Sequence, residues 1–401
     1  MPLSWALFAS LLLAAAGYIV GRSRAFAVAG PDVRRLHSRP TYHGHSVALT
    51  ALLPALAVLA LGILLRMSGV LATESGAMVG LLALAASVAG LGLGVTRIGP
   101  QFQARNAVER MVLGLLILCS LIAIVTTIAI VLSLLFETSR FFQIYDWKTF
   151  FFGTEWTPRF QGNSQLGILP LLWGTLYISV IALLVAVPIG LFAAIYMSEY
   201  ASPRVRGIAK PAIEVLAGIP TIVYGLFALI TVGPLLRDYF AQPLGLGNSG
   251  SSVLTAGLVM GIMLIPFVSS LSDDIINAVP QSLRDGALGL GSTPSETVRQ
   301  VVLPAALPGI VGAVLLAASR AIGETMIVVL GAGAAAQMSL NPLEAMTTIT
   351  VKIVSQLTGD SDFNSPETLV AFALGLTLFV ITLGLNIVAL YIVRKYREQY
   401  E

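Results

Sequence analysis

The sequence predicts an all-α polytopic membrane protein, and three observations carry that prediction. Apolar residues make up 56% of the chain and charged residues only 11%, where a soluble domain has about a quarter charged. The apolar residues fall in continuous runs long enough to cross a hydrocarbon core of roughly 30 Å, which takes about 20 helical residues. Those runs lack the period-two alternation over about ten residues that a transmembrane barrel needs. Nine runs qualify, near 3–20, 46–65, 77–95, 111–135, 171–195, 212–232, 253–271, 306–331 and 369–393.

The first run is followed, not preceded, by its basic residues, Arg22, Arg24, Arg34, Arg35 and Arg39. That order argues against a cleaved signal peptide and puts the N-terminus outside. Threading nine spans from there leaves sixteen Lys and Arg residues in inside segments against six in outside loops, the bias of the positive-inside rule. The C-terminal tail, with Arg394 and Lys395, is then expected inside. The twenty-third basic residue, Arg320, stands within a span.

Runs one to three end at a linker broken by Gly99-Pro100, so residues 1–105 are expected to form an appended membrane module. Residues 106–170 hold the fourth span and an outside segment rich in aromatics, including Phe141, Phe142, Tyr145, Trp147, Phe150, Phe151, Phe152, Trp156 and Phe160. This segment reads as an aromatic belt at the membrane surface, as a docking surface for an external partner, or as both. Residues 171–393 form the core bundle, with a polar loop at 272–305, and 394–401 form the tail. Helix breakers recur in the core: Pro188 with Gly190, Gly218 with Pro220, Pro266, and Pro308 with Gly309. Singly, each fits the ordinary abundance of Gly and Pro in membrane helices. Together they suggest a bundle that moves, with Gly218, Pro220, Pro266 and Pro308 as candidate hinges.

Within the polar loop, Thr293, Pro294 and Glu296 make a helix-start signal of N-cap, first-turn proline and capping-box acid. Val298, Val301, Val302 and Ala305 then fall on one face. A short helix with an apolar stripe, held outside the bilayer, is expected to need a covering partner.

Several function classes recede on composition. The net charge of +3 is accounted for by membrane-flanking residues and gives no reason to expect nucleic acid. Cys119 is the sole cysteine, so no disulfide framework or thiolate metal site can be built. The three histidines, His37, His43 and His45, share one loop with no cysteine or acid beside the His43-Gly44-His45 pair, so no metal site and no catalytic cluster is expected. A phosphate-cradling loop of the Gly-x-x-x-x-Gly-Lys-Ser/Thr type is also missing, so the chain is expected to bind no cofactor.

Asp285-Gly286-Ala287, Gly291, Val301 and Leu303-Pro304 stand at the spacing of the cytoplasmic loop shared by permeases of bacterial ATP-binding-cassette importers, which the chain resembles. Asp replaces the family's Glu at 285 and Gly its Ala at 286, the latter weakening the first helix of the loop. Further segments narrow the resemblance: Gly-Ile-Leu-Pro-Leu-Leu-Trp-Gly-Thr-Leu from 167, Met-Ser-Glu-Tyr-Ala-Ser-Pro-Arg-Val-Arg from 197, Pro211 to Gly225, and Ser-Arg-Ala-Ile-Gly-Glu-Thr-Met from 319. Over about residues 106–398 the chain is similar to the PstC-type permeases of phosphate-specific importers. This resemblance implies a type I permease bundle in a bacterial inner membrane, moving phosphate by alternating access, with its N-terminus periplasmic and C-terminus cytoplasmic. The implied partners are a second, homologous permease, a cytoplasmic ATPase dimer that carries ATP and Mg, a periplasmic phosphate-binding protein and membrane lipid. The loop would couple to the ATPase, with Gly291 allowing the bend between its two short helices.

Arg320 and Glu324 are four residues apart, a spacing that puts them on one helical face within the run from 306 to 331. Charges at that depth cost about 2.5–3.5 kcal/mol each, so they tend to face a pathway or each other. An internal ion pair is one reading. The other is a substrate pathway, in which the guanidinium offers fixed donors to a tetrahedral oxyanion. The carboxylate would accept a hydrogen bond from phosphate that still carries a proton, while repelling sulfate. A permease for sulfate or molybdate is the nearest rival, and a membrane enzyme or sensor a remote one.

Overall fold

The computed structural model describes residues 3–70, 72, 75–159, 164–359 and 365–397, most of them helical. Phe160 and tail residues 398–401 lie outside the described residues. Nine helical stretches among those described are long and apolar enough to cross a membrane. The chain forms two units, one up to Ala129 and one from Ile130, with the boundary inside the long helix α4 (Ala104–Ile144).

The first unit contains α1 (Leu3–Ala29), α2 (Pro40–Met67), α3 (Gly76–Thr96) and the start of α4. Helix α1 buries Ala6, Ser10, Ala14, Gly17, Gly21 and Ala25, a stripe of small residues three or four apart. In lipid, where burying apolar side chains gives little net drive, such stripes stabilise helix pairs by letting backbones approach closely. The approach is tight: a Cβ on Gly21 would stand 2.8 Å from Val47, and one on Gly44 2.8 Å from the Tyr18 ring.

In the second unit, the end of α4 joins α5 (Trp147–Phe152) and the antiparallel pair β1 (Trp156–Thr157) and β2 (Gln165–Leu166). The aromatic belt expected here is only partly a belt. Phe141 and Phe150 are fully buried and meet edge to face at 5.5 Å, packed with Trp156, Leu166, Ile349 and Leu369 as a core. Trp147 and Phe152 stay exposed. Alternation of inward and outward rings in a short folded cap, rather than one surface layer, explains the density of aromatics.

The bundle proper is built on α10 (Val253–Asn277), whose apolar stretch is 67% buried. Against it lies α6 (Leu169–Ile195), in contacts so close that a Cβ on Gly257 would meet Ile181 at 2.6 Å and one on Gly261 would meet Val185 at 2.7 Å. Two span boundaries differ from the sequence reading. The sixth run contains two helices: α7 (Pro203–Ala217), which buries no residue, and, after a break at Gly218–Pro220, α8 (Thr221–Phe227). From α8 the chain continues through a π-helical turn, α9 (Gly233–Leu236) and a second π turn to Ala241. Pro220 removes a donor and restricts Ile219, so the apolar periodicity runs across a corner.

Between α10 and the next span stand α11 (Gln281–Gly289) and α12 (Pro294–Thr297), which runs through a π turn into α13 (Leu303–Ile322). The eighth run also breaks: α13 is capped at Gly323, and α14 (Met326–Gly331) starts afresh. Helices α15 (Ile349–Gly359) and α16 (Pro366–Arg397) complete the unit.

Candidate substrate pathway and coupling loop

Because α13 ends at Ile322, Arg320 and Glu324 do not share one helical face. Glu324 sits in the break, where its Oε1 accepts a hydrogen bond from Met326 N at 3.2 Å and its carbonyl accepts one from Thr350 Oγ1 at 3.0 Å. Arg320 and Glu324 form no ion pair; among the described residues the guanidinium's recorded contact is with the Phe267 ring, 5.5 Å from its centroid. A cation over an aromatic face is attracted by the ring's negative quadrupole.

Arg320 borders an open cavity of about 290 Å³ whose polar lining comes from Glu214 of α7, Thr221 of α8 and Ser270 of α10. Its apolar wall includes Ile219, Met263, Pro266 and Phe267. The carboxylate that shares this cavity is therefore Glu214, four residues before the Gly218–Pro220 break, and the sequence reading did not single it out. Its only signal was its place on an otherwise weakly polar stretch ahead of a Gly-Ile-Pro corner. Of the candidate hinges, Gly218 and Pro220 stand at that corner, while Pro266 and Pro308 lie inside continuous helices.

The loop from 285 follows its predicted chemistry closely at the second helix. Thr293 N donates to Glu296 Oε2 at 2.8 Å and Glu296 N to Thr293 Oγ1 at 3.3 Å, a complete capping box with Pro294 in the first turn. Gly291 takes φ +90°, a conformation that favours glycine. Asp285, Gly286 and Ala287 stand on α11, where Asp285 accepts from Gln281 Nε2 at 3.1 Å. Val301 is half-buried in the π turn, and Leu303 and Pro304 open α13.

The apolar stripe of this second helix does not wait for an external partner. Val302 is fully buried, Val298 nearly so, and Val302 packs with Ala194, Ile276, Val279 and Ala306 of the same chain. What remains uncovered is the tip of the first helix: Leu290 is 90% exposed beside Leu288, and α11 buries no residue.

Two ionic clusters tie this end of the bundle together, and neither was read from the sequence. Arg284 of α11 donates to Glu199 Oε1 at 3.0 Å and to the carbonyls of Ile276 at 2.7 Å and Val279 at 2.8 Å, so it binds the turn after α6 and closes the open end of α10. Asp273 is fully buried and accepts from Arg206 Nη2 at 3.0 Å, Lys210 Nζ at 2.8 Å and Asn277 Nδ2 at 2.9 Å. The Asp273 carboxylate holds the Lys210 ammonium above the usual lysine range.

The cavity, the corner and the capped loop all fall in a segment matched by a family model: residues 186–398 fit the binding-protein-dependent transport system inner membrane component. The chain belongs to that permease family. Residues 7–78 match a second family, described as phosphate ATP-binding cassette transporter, which covers much of the three-helix module. Phosphate transport system permease protein PstC 1 of Mycobacterium bovis is 37% identical over 280 residues, spanning 61% of this chain and 81% of that protein. The PstC permease of Mesorhizobium japonicum is 35% identical over 262 residues, 62% of this chain and 78% of its own. Among solved structures, an inward-facing MetNI methionine transporter aligns with TM-score 0.43 at 17% identity, covering 57% of this chain and 95% of that one. As a family member the permease is a multi-pass inner-membrane transport subunit and not an enzyme.

Proposed function

We propose that this permease carries inorganic phosphate inward across the membrane within an ATP-driven importer. The observation that carries the reading is Arg320: a guanidinium at membrane depth, without an ion pair among the described residues, bordering a cavity with Glu214, Thr221 and Ser270. An unpaired cation in a span is costly and marks a pathway, and its fork of donors suits a phosphoryl oxygen pair. Glu214 gives the cavity an acceptor for the proton that phosphate retains near neutrality, a feature sulfate could not use. Glu324 orders the backbone immediately after Arg320 and serves the pathway by fixing that turn.

A second permease closes the open side of the cavity, and an external binding protein delivers the anion. A cytoplasmic ATPase dimer, which holds ATP and Mg, meets the exposed Leu288 and Leu290 tip. Arg284 carries its motion into α10. The N-terminus lies outside and the tail inside, a direction supported by the excess of basic residues in the inside segments.

The test is uptake by vesicles reconstituted with both permeases, the ATPase and the binding protein. Arg320→Gln is expected to abolish phosphate uptake while ATP hydrolysis persists; uptake at the original rate would overturn the reading. Excess sulfate or molybdate is expected not to compete, and full competition by either would transfer the pathway to that oxyanion.

A further inference from the structure

The first unit contains a cavity of its own. It measures about 630 Å³, twice the Arg320 cavity, and its lining includes Ser38, Arg39, Tyr42, Arg105, Asn106 and Glu109. The first turns of two long helices frame it. Arg39 is the N-cap of α2 and Tyr42 lies in its first turn, while Arg105 and Asn106 lie in the first turn of α4. Their convergence is held by Arg105 N donating to Ser38 Oγ at 3.2 Å and His37 N donating to the Pro100 carbonyl at 2.9 Å.

From this arrangement we propose that the cavity is a binding site for a phosphate-bearing anion, taken either as free phosphate or as the headgroup of an anionic phospholipid. Two guanidinium groups converge on that chemistry. The Arg39 guanidinium has no ion pair among the described residues, so its donors are uncommitted. Arg105 spends only Nε on Glu109, at 2.6 Å, and keeps both terminal nitrogens for a second acceptor. The Tyr42 hydroxyl adds a neutral hydrogen-bonding group, while the Asn106 amide nitrogen already donates to Gln103 Oε1 at 2.9 Å. Both helices that begin here are long and apolar enough to cross a membrane, which makes a lipid headgroup a source of the anion as well as a dissolved ion.

The test uses the full-length chain with Arg320→Gln, so that the transport pathway does not contribute. In phosphatidylcholine nanodiscs, binding of radiolabelled inorganic phosphate is measured; in parallel, retention of phosphatidylglycerol is measured by native mass spectrometry. Binding in the first experiment identifies the free ion as ligand, and retention in the second identifies the headgroup. In whichever binds, Arg39→Gln with Arg105→Gln is expected to weaken binding at least tenfold. Glu109→Gln, which removes the competing carboxylate, is expected to strengthen it severalfold, an effect that misfolding would not produce. Absence of binding in both experiments, or binding that none of these substitutions changes, would overturn the proposal.

Discussion

Asp273 carries more of the bundle's polar organisation than any other single carboxylate described. It is buried while its partners Arg206 and Lys210 keep about a third of their surface, and this asymmetry sets the direction of mutational effects. Removing both cations by Arg206→Ala and Lys210→Ala strands a buried charge and is expected to cost about 3–5 kcal/mol. Asp273→Asn leaves two cations that water can reach and is expected to cost less; melting midpoints of the purified chain rank the two. The pH dependence follows from Lys210, whose folded pKa is raised by Asp273. Its contribution is complete below the ordinary lysine value of about 10.4 and is lost as pH rises through the higher folded value. The midpoint should therefore not fall on account of this pair between neutrality and that value. None of this was legible in the sequence, where an Asp at the end of an apolar run reads as a solvated flank. The expectation that Arg320 and Glu324 share one helical face failed for a related reason: helical spacing was extended across Gly323, although glycine is itself a stop signal.

Among the elements, the loop from α11 to α13 shows what a pattern does and does not specify. Its capping box was legible because Thr, Pro and Glu at fixed offsets satisfy backbone donors locally. The address of its apolar stripe was not, since a stripe states that a face is covered without saying by what. In the folded chain the cover is α6 and α10, and the free surface has moved to Leu290. Leu290→Asp is accordingly expected to leave the melting midpoint unchanged and to weaken copurification with the ATPase at least tenfold. Gly291→Val has open space for its side chain but not for its backbone. It is expected to cost about 1–2 kcal/mol and to lower uptake per ATP hydrolysed, as measured in reconstituted vesicles.

At the level of the whole chain, the nine spans were readable from run length alone and Gly218 with Pro220 was legible as a helix-breaking pair, whereas the end of α13 at Gly323 was passed over because residues 306–331 were read as one span. The two units each have buried clusters of their own, and the permease family match from residue 186 falls in the second. A chain starting at 101, which keeps α4 whole, is expected to insert and to retain ATP-dependent uptake. Loss of uptake with normal insertion would show that the three-helix module takes part in transport itself.

The three bonds from Arg284 also have a mechanical meaning. One of them ends on the Ile276 carbonyl of α10 and another on Val279 just beyond that helix, so under the coupling proposed above a push on the loop reaches the base of α10. At 1.5 Å per residue, this 25-residue helix is a lever about 38 Å long. Each ångström of displacement at its base therefore tilts it by about 1.5°, and a stroke of a few ångströms is geared into a rotation of several degrees beside Met263 and Pro266 on the cavity wall.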